Sequence, residues 1–276
     1  MRFWRTLILT AALPPLSWGA GERILLRSGF PFIDVEVNGQ GPFRMLIDTG
    51  AASCMLTPQA AAKAGLKYDH RVTLASMAGE KVIPAASGNA VKAGSVERAP
   101  IEIDVVGLEE LRGLDARADG VLGQNFFTGA PYLIDYRNKR LWVGGDAAAR
   151  SADLPIAVEA SELHGRVVLP VKLDESARPW RLTLDSGASD LVVTCNDRCP
   201  PLSAVQRGDE IVTYSGGRPV SRGRLERAEV GGMKIPAPEA ILVESSASDG
   251  QDDGVLPARW FSAIYVDGPS VRLARK

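Results

Sequence analysis

Two tripeptides in this chain carry groups suited to acid–base chemistry, Asp48-Thr49-Gly50 and Asp185-Ser186-Gly187. Each aspartate closes an apolar run, Met45-Leu46-Ile47 in one case and Leu182-Thr183-Leu184 in the other, and each glycine is followed by alanine, Ala51 or Ala188. A single Asp-Ser/Thr-Gly is an ordinary turn sequence, because aspartate and glycine both favour turns. Here the contexts match as well: Pro42-Phe43-Arg44 and Pro179-Trp180-Arg181 stand the same distance ahead of the two aspartates. The pattern points to an internal duplication that brings two carboxylates together. Two such charges ~4 Å apart repel by about 4 kcal/mol at an effective dielectric of ~20, which is roughly three pKa units. The pair therefore keeps one proton over a broad pH range, so that one member acts as a base toward water while the other acts as an acid.

Other chemistries find less support. The two histidines, His70 and His164, are far apart in sequence and neither stands in a ligand-spaced pair, so no metal site is expected. No Gly-x-Ser-x-Gly elbow accompanies them, which argues against a Ser-His-Asp triad. With 32 basic and 33 acidic residues spread along 276 positions, no basic stripe suggests nucleic acid. No cofactor is implied.

The elements around the two aspartates read mostly as strands. Ile33, Val35 and Val37 alternate with Asp34 and Glu36 and run into Asn38-Gly39, a dipeptide favoured in tight hairpins. The returning strand ends at Asp48. Thr57-Pro58 reads as a helix cap with proline in the first position, and the helix stops at Gly65. A second hairpin spans Val72 to Ile83, with small residues at its tip, and Asp119-Gly120-Val121-Leu122-Gly123-Gln124-Asn125-Phe126-Phe127 follows later. Tyr132 to Tyr136 and Arg140 to Val143 close the unit.

The second half repeats this order. Val167 to Leu173 and Trp180 to Leu184 form the leading hairpin, and Ile211 to Val220 a tip hairpin. Asp253-Gly254-Val255-Leu256-Pro257 echoes residues 119–123, and Ile264 to Asp267 echoes Leu133 to Tyr136. In both halves Asp119 and Asp253 read as turn caps rather than catalytic groups. The polar, glycine-led stretch after Val143 reads as a linker, giving a first unit at 21–145, a linker at 146–154 and a second unit at 155–276.

Residues 1–20 read as a cleavable export signal: Arg2 and Arg5, an apolar stretch from Leu7 to Leu16, then the small residues of Ser17-Trp18-Gly19-Ala20. The stretch is shorter than the ~20 apolar residues a membrane span needs, and the alternative is an uncleaved N-terminal anchor. A secreted or periplasmic protein without stable membrane insertion is expected. In that oxidising setting Cys195 and Cys199 either pair or stay as two thiols, and Cys54 reads as a small core residue.

Asp48-Thr49-Gly50-Ala51 followed by Val121-Leu122-Gly123-Gln124-Asn125-Phe126-Phe127 resembles the aspartic protease family in its retropepsin-like branch, bacterial secreted type. The resemblance covers residues 30–143 well and 165–273 more weakly. It implies an all-β fold of two pseudo-symmetric retropepsin-like lobes with the active site between them. Asp48 and Asp185 would be the catalytic pair of an aspartic endopeptidase acting on a peptide or protein substrate. Thr49 and Ser186, with Gly50 and Gly187, would lock the two loops together through hydroxyl hydrogen bonds to the opposite backbone. Met77-Ala78-Gly79 and Ser215-Gly216-Gly217 would be flaps over the cleft. One chain holding both halves implies a monomer. The second half departs from the family pattern at Pro257, where the first has Gly123, and lacks the asparagine that follows. A silent, peptide-binding relative of the same fold is the other reading. In the pepsin branch the residue after Asp-Thr/Ser-Gly is commonly a hydroxyl donor to the carboxylate, whereas Ala51 and Ala188 fill both positions here.

Overall fold

A computed structural model of the chain describes residues 21–76, 79–107, 118–213, 216–244 and 252–276. The expected export signal at 1–20 and the hairpin-tip residues Met77, Ala78 and Ser215 lie outside these. Among the described residues no helix is long and apolar enough to cross a membrane. The architecture is nearly all-β, as expected.

Three sheets make up the molecule. The N-terminal sheet has eight strands, in the spatial order Leu25–Arg27, Phe30–Val37, Gln40–Ile47, Gly120–Leu122, Cys54–Leu56, Val96–Val105, Gly79–Ala93 and His70–Ser76. In the C-terminal sheet the strands Arg166–Lys172, Trp180–Asp185, Gly254–Pro257, Leu191–Cys195, Glu239–Glu244, Gly216–Arg224 and Ser203–Thr213 follow one another in the same sequence. Both sheets also run parallel at the same two joints: Gln40–Ile47 beside Gly120–Leu122 and Cys54–Leu56 beside Val96–Val105, matched by Trp180–Asp185 beside Gly254–Pro257 and Leu191–Cys195 beside Glu239–Glu244.

Local sequence accounts for the elements that carry the first aspartate. Along Phe30–Val37 the residues Ile33, Val35 and Val37 are buried while Asp34 and Glu36 are exposed, the period-two pattern of a strand with one face in a core. Asn38 and Gly39 both take positive φ, 52° and 72°, as a tight two-residue hairpin turn requires. The helix Pro58–Lys63 starts where expected: the Thr57 hydroxyl accepts from Ala60 N at 3.2 Å, and Ala60 and Ala61 bury against the sheet.

The third sheet joins the two ends of the chain. Its order is Glu22–Arg23, Arg140–Val143, Tyr132–Asp135, Phe261–Asp267, Ser270–Arg275 and Ile156–Glu159. At its centre Tyr132–Asp135 lies antiparallel to Phe261–Asp267, with Ile134 opposite Ile264. The two segments were read from sequence as echoes of each other, and the structure pairs them. The main core is continuous across all three sheets, taking Ile33 and Leu122 from the first, Leu169 and Leu256 from the second and Ile134 and Ile264 from the third.

The stretch read as a polar linker takes helical form over Gly145–Ser151, with Ala147 fully buried against Leu133, Trp142 and Ala263. Three consecutive alanines are strong helix formers, and Arg150 covers the Trp142 ring at 4.7 Å from its centroid.

Candidate active site

Asp48 follows the Gln40–Ile47 strand and Asp185 ends the Trp180–Asp185 strand. Each strand is clamped where it approaches the site. The Asp119 carboxylate accepts from Arg44 N at 2.9 Å while its own N–H donates to Arg44 O at 2.7 Å. Asp253 does the same with Arg181, at 2.8 and 2.7 Å. These two aspartates therefore fix strand registry by bonding a strand distant in sequence, which differs from the turn-capping role expected of them.

Beyond the clamps the chain turns. Asp48 Oδ1 accepts from Gly50 N at 2.9 Å and Ala51 N at 3.2 Å, and Asp185 Oδ1 accepts from Gly187 N at 2.6 Å. Each carboxylate thus holds its own turn through Oδ1. The two turns meet tip to tip. A Cβ on Gly50 would collide with the Asp185 carboxylate, and one on Gly187 would lie 2.7 Å from that of Asp48. Only glycine allows such close approach.

The hydroxyl residues lock this contact reciprocally. Thr49 Oγ1 donates to Leu184 O at 2.6 Å and accepts from Ser186 N at 3.0 Å. Ser186 Oγ donates to Ile47 O at 2.7 Å and accepts from Thr49 N at 3.0 Å. Both hydroxyl side chains are completely buried, so each polar atom depends on its partner across the contact.

Asp48 is buried, Asp185 half-buried, and the two carboxyls hydrogen-bond each other. Burial and the neighbouring Asp48 charge hold Asp185 well above the usual carboxylate range. The pair titrates as a unit and retains a proton where a lone aspartate would have lost it.

Beneath the contact lie groups that the sequence reading did not single out. Gln124 Nε2 donates to Thr49 O at 3.1 Å and lies 3.0 Å from the Tyr132 hydroxyl, bracing the first turn from below. The Tyr136 hydroxyl is buried without a hydrogen-bond partner among the described residues, and its ionisation is pushed far up by burial and by the Asp185 and Asp48 charges. Gln124 carries no distinguishing local signal, since a glutamine amide bonds to almost any polar neighbour. Asn125 is a further brace: its Oδ1 accepts from Cys54 N and its Nδ2 donates to Glu102 O, both at 2.9 Å. Cys54 is buried as expected, its thiol pushed up to about 12 by desolvation.

The residue after each turn glycine enters an apolar patch that reaches the nearby hairpin. Ala51 packs with Phe32, Met55, Val121 and Ile83 of the His70–Ser76/Gly79–Ala93 hairpin. Ala188 packs with Val192, Val255 and Val220 of the Ser203–Thr213/Gly216–Arg224 hairpin. Gly79, facing Ser76, and Gly216 with Gly217, facing Thr213 and Val212, stand at the ends of these hairpins. At the foot of the first hairpin, His70 sits between Asp69 at 2.5 Å and Glu102 at 2.9 Å. Nearby Asp104, buried beside Glu102, is pushed up to about 6 by desolvation and that neighbour. Cys195 and Cys199 form a disulfide, resolving the alternative left open by the sequence.

A family model described as aspartyl protease matches residues 33–126. The match spans Asp48, Thr49 and Gly50, the first hairpin and the Gln124–Phe126 turn, and ends ahead of Asp185. It supports an aspartyl protease family and, with it, a hydrolase acting on peptide bonds. No curated protein matches the chain.

Proposed function

We propose that this protein is an aspartic endopeptidase built as two fused retropepsin-like lobes, the product of an internal duplication, at residues 21–145 and 155–276 with 146–154 between them. Asp48 and Asp185, one from each lobe, share a proton and activate a single water. The ionised carboxylate takes a proton from this water as its oxygen attacks the carbonyl carbon of the scissile amide, while the protonated carboxyl donates to the carbonyl oxygen. Collapse of the tetrahedral intermediate transfers a proton to the leaving nitrogen and restores the shared proton. The observation that carries this reading is the reciprocal bonding of Thr49 and Ser186, each to the other's turn and to the strand before it. It holds two carboxylates in contact, with burial and Asp48 keeping Asp185 high, a perturbed pair of the kind that clusters at functional sites.

The two hairpins ending near Gly79 and Gly216 are the flaps over a peptide or protein substrate, and their apolar patches tie each flap to its aspartate turn. One chain supplies both carboxylates, so the active unit is a monomer. Cleavage after residue 20 and work in the periplasm or outside the cell agree with the Cys195–Cys199 disulfide.

The test is peptide-library cleavage by the purified mature chain and by Asp48→Asn and Asp185→Asn. An amide keeps the shape of the carboxyl but cannot share the proton, so each variant should lose activity by about 10²–10⁴-fold with its fold intact. Wild-type specific activity should be unchanged on dilution. Near-wild-type turnover in either variant would refute the two-aspartate mechanism.

A further inference from the structure

The C-terminal sheet carries an opening that its counterpart in the N-terminal sheet has filled. Strand pairing fixes the correspondence: Cys54 lies opposite Ile103 and Leu191 opposite Ala240, while Val121 and Val255 occupy the same place beside Met55 and Val192. Arg98 thus corresponds to Ile235, Asn125 to Arg259 and Phe126 to Trp260. In the N-terminal sheet Arg98 Nε donates to Phe126 O at 3.0 Å, and Asn125 bridges Cys54 and Glu102, closing the space between the sheet and the short 3₁₀ turn. In the C-terminal sheet neither closure exists. Ile235 has no donor, and Arg259, which lines the opening, donates to Ser28 O at 3.2 Å, with its guanidinium 5.3 Å from the Phe30 ring centroid, and makes no bridge like that of Asn125.

What remains is a pocket of about 440 Å³, lined by Met233, Ile235 and Trp260 on its apolar side and by Lys234 and Arg275 among its charged groups. That volume lies within the roughly 300–1,000 Å³ of small-molecule sites. The two acids in its wall are already engaged, Asp190 by Arg222 at 3.1 Å and Glu239 by Arg224 at 3.4 Å. Lys234 and Arg275 have no acidic partner among the described residues and stand exposed at the pocket. The walls would take an apolar body, and the cationic rim of Lys234, Arg275 and Lys276 an anionic head.

We propose that this pocket binds a carboxylate-bearing molecule with an apolar body. Such a carboxylate comes from the C-terminus of an apolar peptide or from a fatty acid. The site is separate from the aspartate pair but shares its supports: Ser189 and Asp190 follow the Asp185 turn, and Trp260 follows Pro257, which lies opposite Asp185.

The experiment is calorimetric titration of the full chain with four probes: N-acetyl-Leu-Phe with a free carboxylate, its C-terminal amide, decanoate and 1-decanol. At least one acid should bind about tenfold or more tightly than its neutral partner. Whichever acid binds more tightly identifies the source. The double variant Lys234→Glu/Arg275→Glu, at two exposed positions, should weaken that acid by about tenfold or more. Asp48→Asn should leave binding unchanged, which separates this result from the fate of the proposed peptidase activity. Equal affinity for acid and neutral probes, no binding of either acid, an undiminished affinity in the double variant, or displacement by a statyl peptide directed at the aspartate pair would each overturn the proposal.

Discussion

The N-terminal and C-terminal sheets agree where they touch each other and differ where each supports its own turn. At the contact Thr49 and Ser186 make the same four hydrogen bonds in mirror fashion. One layer back, Gly123-Gln124-Asn125 is matched by Pro257-Ala258-Arg259. Gln124 and Asn125 brace Thr49, Cys54 and Glu102, whereas Ala258 has no polar side chain and Arg259 reaches across to Ser28. Pro257 stands opposite Asp185 in buried, extended backbone, so the strand beside the aspartate keeps its path without glycine. At Gly123 a Cβ would collide with Ser53 O, so the first sheet does not have that freedom. The comparison separates constraint imposed by the partner half, which keeps both halves alike, from constraint imposed by local packing, which each half meets in its own way.

The symmetric layer should be the more costly to break. Thr49→Val and Ser186→Ala each strand two backbone groups of the other half, one in its turn and one in the strand before it, at about 1–3 kcal/mol per group, so each should destabilise by roughly 3–5 kcal/mol in urea denaturation. Because both act on one network, the double variant should cost clearly less than the sum. A large effect from one and none from the other would show that the reciprocity is only geometric.

The asymmetric layer should give unequal answers. Asn125→Ala leaves Cys54 N and Glu102 O without their partner and should cost about 2 kcal/mol. Arg259→Ala removes a hydrogen bond at the half-buried rim and should cost under about 1 kcal/mol. Equal losses in thermal or chemical unfolding would mean that Arg259 is as much a brace as Asn125.

The pH behaviour of the aspartate pair sharpens the comparison further. Burial and Asp48 hold Asp185 high, and Ala51 and Ala188 offer no hydroxyl to the ionised form. Wild-type kcat/KM should therefore peak in the weakly acidic to neutral range. Ala51→Ser or Ala188→Ser would add a donor to the charged form, lower the pair's first ionisation and move the profile toward acid, by about one pH unit. An optimum in strong acid for the wild type, or no acidic movement in either variant, would refute this account.

A further contrast concerns Asp104, whose counterpart in the other sheet is Ile241. Its carboxyl sits at about 6, above its unfolded value, so the folded state favours the protonated form. Stability on its account is full in acid, is lost as pH rises from about 4 to about 6, and stays lost above that. Asp104→Asn should then stabilise at pH 8 by roughly 1–2 kcal/mol and show no gain at pH 4, as read from melting temperatures at the two pH values.

What the sequence disclosed was local. The Asp-Thr/Ser-Gly turns, the alternation along Ile33 to Val37, the Asn38-Gly39 turn and the Thr57 cap are all set by neighbours in the chain, and each element forms at that place. The pairing of Tyr132–Asp135 with Phe261–Asp267 was hidden, because two short apolar runs do not declare whether they repeat or bind each other. The helix at Gly145–Ser151 was hidden by its polar flanks, although the alanines inside it favour that form. Gln124 and Asn125 stood within a quoted motif, yet what they hold depends on groups far away in sequence. The pocket beside Trp260 is legible only when one sheet is laid over the other.

The joining of both chain ends in one sheet has a consequence for any attempt to separate the halves. Tyr132–Asp135 and Phe261–Asp267 are each other's neighbours at the middle of that sheet. A chain cut within 146–154 and purified as two fragments would turn this interior ladder into two open edges. Both edges are lined with buried apolar residues such as Leu133, Ile134, Ile264 and Tyr265. Unpaired edges of that kind recruit any available strand. Each fragment expressed alone would tend toward self-association, and solubility would return only when the two are produced together.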